Sequence, residues 1–195
     1  MKHVGDDDGP ILTVDGLAEA MPRFLIAEGL SEGIAADWIL RMEQAATAGR
    51  PVLPWYPLEP TVREGLFEAR QARQVVRGLE GAQSALESQD LGLSKAAATR
   101  PGENRRRISR LLVVSGDGSQ RFYRDVARLR HRFQVRLEVV GLECDESELG
   151  AAAFGEGRYA RALMIDHKDS VIRFLTILGQ LPPADAAGTL GSSLS

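Results

Sequence analysis

The sequence predicts an α/β fold: a small three-layer domain with a short, mostly parallel sheet, preceded by a small helical N-terminal region. Two observations point there. Three short apolar runs, at 108–115, 135–141 and 162–166, alternate with stretches of helical period, the pattern of strands joined by crossover helices. The first of them contains LLVV at 111–114, as expected of a strand covered on both faces. Right-handed crossovers then predict a parallel sheet with helices on either side.

Taken in order, residues 1–10 form a polar tail and residues 11–50 a helical region. Leu17, Met21, Phe24 and Leu25 fall near helical spacing, and Pro22 kinks or restarts that helix. A second helix opens on Ser31 as N-cap, presents Ile34, Trp38, Met42 and Ala45 on one face, and stops at Gly49 and Pro51. Residues 51–60, PVLPWYPLEP, carry prolines at 51, 54, 57 and 60. That three-residue period predicts a polyproline II strap, with Trp55 and Tyr56 packing it onto its neighbour.

The α/β domain is expected over 61–181. Thr61 and Glu64 read as a capping box, and the helical period runs to about 88, with Gly78 and Gly81 allowing a break and Val75 and Val76 a short strand. Residues 89–107 read as a polar loop. After the strand at 108–115, GDGS at 116–119 turns into a helix ending near 133. Asp145 with Glu148 caps a short helix after the second strand, and the last helix carries Val171, Ile172, Leu175 and Leu178 up to Gly179. Residues 182–195 read as a disordered tail.

The chain has 195 residues and one cysteine, which excludes an internal disulfide and a multi-cysteine zinc site. No run approaches the roughly 18 apolar residues of a membrane helix, and the acidic MKHVGDDDGP opening does not read as a secretory signal. The expectation is a cytoplasmic protein with no membrane partner.

Charge is strongly segregated. Residues 100–136 hold 11 arginines and 3 acids, whereas the segments on either side are net acidic and the whole chain is −3. Such a block suits a defined anionic partner, because the guanidinium fork matches phosphate and carboxylate. Within the helix after GDGS, Phe122, Val126, Leu129 and Phe133 make a core stripe, while Arg121, Arg124, Arg128 and Arg132 repeat at i, i+3, i+7 and i+11 about 120° round the helix. Arg105, Arg106, Arg107 and Arg110 precede the strand that leads into it. These eight arginines are the candidate binding residues, unless acids such as Glu138 and Glu148 neutralise them internally.

A second constellation lies at the expected strand ends, where a parallel sheet binds ligands. Asp117, Asp145 and Asp166 would converge there, an oxygen-rich set suited to Mg²⁺ or Mn²⁺ activating water against a phosphodiester. Against this, Asp145 and Ser119 are equally explained as N-caps. Cys144 as nucleophile and His167 as base are the weaker members of the same edge.

Two partial resemblances bear on function. LFEARQARQVVRG at 66–78 with Ala85-Leu86, RLLVVSGDGS, and ELGAAAFGEGRYARALMI at 148–165 are similar to the kink-turn-binding ribosomal protein family. That likeness implies a small α/β/α sandwich and RNA as partner; the family's RNA-contacting positions after the glycine are here Leu79, Glu80, Gly81, Ala82 and Gln83. LLVVSGDGSQRFYRDVARLRHRFQVRLEVVG at 111–141 resembles the Ser-Gly-Asp segment of NYN/PIN-type ribonucleases, which implies a metal-binding role for Asp117.

Three functions follow as expectations. The first is a cofactor-free, non-enzymatic module that binds RNA or an acidic protein surface through the arginine-rich face. The second is a divalent-metal phosphodiesterase using Asp117, Asp145 and Asp166. The third is a scaffold that forms homo-oligomers through residues 11–60.

Overall fold

Thr13 accepts a hydrogen bond from the Gly16 N–H at 3.1 Å and opens α1 (Val14–Ala20). Pro22 then separates α1 from α2 (Arg23–Ala27), as its missing N–H requires. The computed structural model describes residues 13–97 and 106–183; the expected tails, apart from 182–183, and Arg105 lie outside the described residues. In α3 (Ser31–Thr47) the N-cap is Leu30 and makes no side-chain bond, so Ser31 is the first helical residue and not its cap. Gly49, at φ 65°, ends that run.

Three residues of the proline-spaced segment 51–60 form an edge strand of the sheet. β1 (Trp55–Pro57) pairs in parallel with β4 (Leu137–Glu143), with Trp55 opposite Gly141. Trp55 and Tyr56 are both buried, which agrees with the packing reading. α4 (Pro60–Gln71) starts with Pro60 at its first turn and has no side-chain cap, so the expected Thr61–Glu64 capping box is absent. β2 (Val75–Arg77) and α5 (Leu79–Ala97) follow. The helix α5 carries through 89–97, where a loop was expected, because Gln89 and Asp90 are anchored: Gln89 to Asp166 at 2.7 Å and Asp90 to Arg136 at 2.6 Å.

β3 (Arg110–Val114), α6 (Gln120–Arg132), β4, α7 (Glu146–Phe154), β5 (Ala162–Ile165) and α8 (Lys168–Gly179) complete the chain. Ser119 caps α6 by accepting from the Phe122 N–H, and Asp145 with Glu148 forms a full capping box on α7.

The fold is α/β in three layers, around a five-stranded sheet of order β1-β4-β3-β5-β2. β1, β4 and β3 are mutually parallel, but β5 runs antiparallel to both β3 and β2. The cause lies in the return from α7. Residues 155–160 fold back along that helix to its start, where the Ala160 N–H donates to the Glu146 carbonyl at 2.8 Å. Gly150 permits the crossing: a Cβ there would stand 2.1 Å from the Arg158 carbonyl oxygen. The chain therefore re-enters the sheet at the edge it had just left, and β5 runs the opposite way.

Alternate side chains divide the sheet between two apolar layers. Leu111, Val113, Val140, Leu142, Leu163 and Ile165 face α1–α4, α7 and α8. Leu112, Val114, Val139, Ala162 and Met164 face α5 and α6. Leu17, Met21, Leu25 and Trp38 belong to the same buried cluster as Phe174, so the helices between 14 and 47 pack into the same core as the sheet. Arg41 fastens it, pairing with Asp37 and donating to the Trp55 carbonyl at 3.1 Å and the Pro182 carbonyl at 2.7 Å.

Candidate anion-binding cleft

Two segments far apart in sequence build the site. One wall is 49–53, held in place because the Leu53 N–H donates to the Pro51 carbonyl at 2.8 Å and the Trp55 indole N–H donates to the same carbonyl at 3.0 Å. Arg50 lies on the Trp55 ring, 4.4 Å from its centre, and pairs with Glu143 at 3.1 Å. The opposite wall is α6, seated on the sheet by Val126, Leu129 and Phe133. Its start is fixed by Tyr123, whose hydroxyl donates to the Ser115 carbonyl at 2.8 Å and accepts from the Gly118 N–H at 3.1 Å. Burial holds that phenol above its usual pKa, so it stays neutral as this geometry requires.

Between the walls is a cleft of about 840 Å³. Its lining holds Arg50, Arg106, Arg124, Arg128, Arg130 and His131, and among the described residues no carboxylate lines it. The helix side repeats at Gln120, Tyr123, Arg124, Ala127, Arg130, His131 and Gln134, the i, i+3, i+4, i+7 spacing of a single helix face.

The predicted arginines divide sharply. Arg121 and Arg124 are exposed and have no hydrogen-bond or ion-pair partner among the described residues. Among the described residues Arg128 meets only Asp125, on its own helix at 3.1 Å, with 78% of its side chain exposed; such pairs contribute little. The others are committed elsewhere. Arg132 pairs with Glu87 at 2.7 Å and Arg110 with Asp166 at 2.7 Å, while Arg107 donates to the Met21 carbonyl at 3.0 Å. Arg106 joins Arg130 on Glu138, whose side chain is 1% exposed. Internal neutralisation by Glu138 thus occurs, but it takes Arg106 and Arg130 rather than the stripe. Two carboxylate oxygens shared by two guanidinium groups leave one net positive charge at that end of the cleft.

Arg50, Arg130 and His131 were not among the expected binding residues. Arg130 and His131 could have been found, since they continue the Tyr123, Arg124, Ala127 face. Arg50 is brought from a distance by β1 and leaves no local signal.

The carboxylate constellation does not assemble. Because β5 is antiparallel, Asp166 lies beside Arg110 at the start of β3, at the opposite edge from Asp117 and Asp145. Among the described residues no group of three or more His, Cys, Asp or Glu is placed to hold a metal ion. Asp117 accepts from the Ser115 hydroxyl at 2.6 Å and from the Glu146 N–H at 3.2 Å. Asp145 accepts from the Ser147 hydroxyl and the Ser147 and Glu148 N–H groups, which lowers its pKa. Both close the crevice between β3 and β4 as caps of α7. Cys144 is buried there, and burial, reinforced by the Glu148 and Asp145 carboxylates, pushes its thiol up to about 12, the reverse of an activated nucleophile. His167 caps α8 at the other edge, its Nδ1 accepting from the Asp169 N–H.

Most apolar side chains of 13–60 are buried in the chain's own core, leaving Phe24, Ile26, Leu30 and Val52 exposed. Among the described residues no helix is long and apolar enough to cross a membrane. No family model matches the chain, and no curated protein matches it. Among solved structures it is similar to a protein of unknown function from Bacillus halodurans C, at 17% identity and a TM-score of 0.43, over 62% of this chain and 98% of that one.

Proposed function

We propose that the chain is a non-enzymatic RNA-binding module that holds a phosphate backbone along α6 and the adjoining cleft. The observation that carries this reading is the cleft lining: five arginines and a histidine and, among the described residues, no carboxylate and no partner for Arg124. Guanidinium groups left unpaired on one helix face repel one another, and a polyanion removes that cost while releasing its own counterions. The overall charge of −3 favours local capture at this face over indiscriminate adhesion. Arginine and no lysine supplies the cations of the site, which fits bidentate phosphate contact. A cytoplasmic setting is part of the proposal, and the single, buried Cys144 suits a reducing compartment.

Charge reversal tests it. Arg124→Glu with Arg128→Glu, both exposed, is expected to weaken binding of a labelled RNA oligonucleotide by roughly a hundredfold at low salt, with the melting temperature unchanged. Binding unaffected by the reversal removes the α6 face as the site. If an acidic polypeptide binds this face and RNA does not, the partner is a protein instead.

A further inference from the structure

Resting on the RNA reading above, we infer that the cleft selects single-stranded RNA and accommodates its unpaired bases between the 49–53 wall and the exposed face of α6. Three features of the same groove lead there.

The first is the distribution of apolar surface. Pro51 and Val52 on one wall stand across from Ala127 on the other, between the cations. Val52 is 53% exposed, an apolar side chain presented to the groove rather than to the core. A duplex turns only phosphate, sugar and groove edges outward; its base faces are stacked away. An unpaired strand offers those faces, and it alone can use an apolar strip flanked by guanidinium groups.

The second is depth. Arg124 and Arg128 stand on the rim, but Arg106 and Arg130 are only 29% and 21% exposed, drawn inward by Glu138. A duplex resting on the rim would meet the outer arginines and leave the inner pair unused. A strand lying in the groove meets both sets.

The third is size. The lined face of α6 runs from Gln120 to His131, about 17 Å at 1.5 Å per residue. That length spans about five stacked nucleotides at ~3.4 Å each, fewer if the strand is extended. The 840 Å³ volume lies within the range of pockets that enclose small ligands, roughly 300–1,000 Å³.

The test compares one labelled RNA, alone and annealed to its complement, on the full chain and on two exposed-site variants at equal ionic strength. Ala127→Trp fills the groove from the helix side, and Val52→Asp places a negative charge on the facing wall; neither removes a rim arginine. The single strand is expected to bind at least about tenfold more tightly than the duplex. Each variant is expected to weaken single-strand binding by about tenfold or more and duplex binding by clearly less. A duplex that binds as well as the single strand overturns this inference while the RNA reading stands. So does single-strand binding that both variants leave intact, and so does equal displacement of the strand by polyglutamate. If neither form of RNA binds at low salt, the RNA reading itself fails.

Discussion

The indole of Trp55 lies over Gly141, its partner on the neighbouring strand: a Cβ at position 141 would stand 2.3 Å from the ring. Glycine in the middle of a buried strand is otherwise unfavourable, so its presence reports this close approach. The contact matters beyond packing, because Trp55 holds Pro51 through its N–H and supports Arg50 through its ring. One wall of the cleft therefore rests on a missing methyl group.

Gly141→Ala is accordingly expected to destabilise the protein by about 1–3 kcal/mol through overpacking. Urea denaturation measures that loss. The same variant should bind RNA more weakly under conditions where it is fully folded, because the displaced indole carries Arg50 with it. A variant as stable as wild type would mean that the indole repacks freely.

Glu138 is the most deeply committed charge near the site, enclosed in the protein and contacted by both Arg106 and Arg130. Glu138→Gln keeps the shape but leaves two inward-drawn cations facing each other. The expected loss of stability is about 3 kcal/mol, the lower end for breaking a buried ion pair because the arginines retain some contact with water. A loss under about 1 kcal/mol in chemical denaturation would show that solvent already satisfies these arginines.

Much of this architecture can be read from sequence. The apolar runs at 108–115 and 162–166 contain β3 and β5, that at 135–141 covers the first five residues of β4, and the restart at Pro22, the Ser119 cap and the Asp145–Glu148 box stand where local chemistry puts them. These are short-range signals, each contained within a few residues. Strand direction is not. An apolar run looks the same in either orientation, and the reversal of β5 depends on the 155–160 return packing across Gly150. A glycine inside a short helix was the available clue. From that single reversal follows the failure of the Asp117, Asp145 and Asp166 set. The arginine stripe on α6 was legible because it is periodic; the contribution of Arg50 was not, because it depends on β1 pairing with β4 across more than eighty residues.

Divalent metal provides a separate check on that geometry. With Asp117 and Asp145 occupied as caps and Asp166 held by Arg110 at the far edge, millimolar Mn²⁺ or Mg²⁺ should leave the melting temperature unchanged. A site filled to a hundred times its dissociation constant would instead add about 2.7 kcal/mol, a rise of several degrees. Observing such a rise, and losing it in Asp117→Ala, would restore the metal reading.

The Cys144 thiol gives a pH prediction. Its folded pKa lies near 12 against an ordinary 9.0, chiefly because burial disfavours the thiolate. The folded chain therefore holds this proton at pH values where the unfolded chain has released it. The resulting contribution is constant below about 9 and is lost progressively as pH rises from 9 toward 12. Thermal melts of wild type and Cys144→Ala at pH 7 and pH 10 should show the wild type losing more stability across that interval. Equal losses would place the titration elsewhere. A thiol reagent at pH 8 should also react far more slowly with the native protein than with the denatured chain.

The most direct test of the central claim is the salt dependence of RNA affinity, measured for the wild-type chain and for the Arg124→Glu, Arg128→Glu variant. Contact between a single strand's phosphates and three or four of these arginines predicts a slope of log affinity against log salt of roughly −2 to −3, and removal of two contacts should make it shallower by at least about 1. A flat salt dependence, or one that is the same in both proteins, contradicts the account.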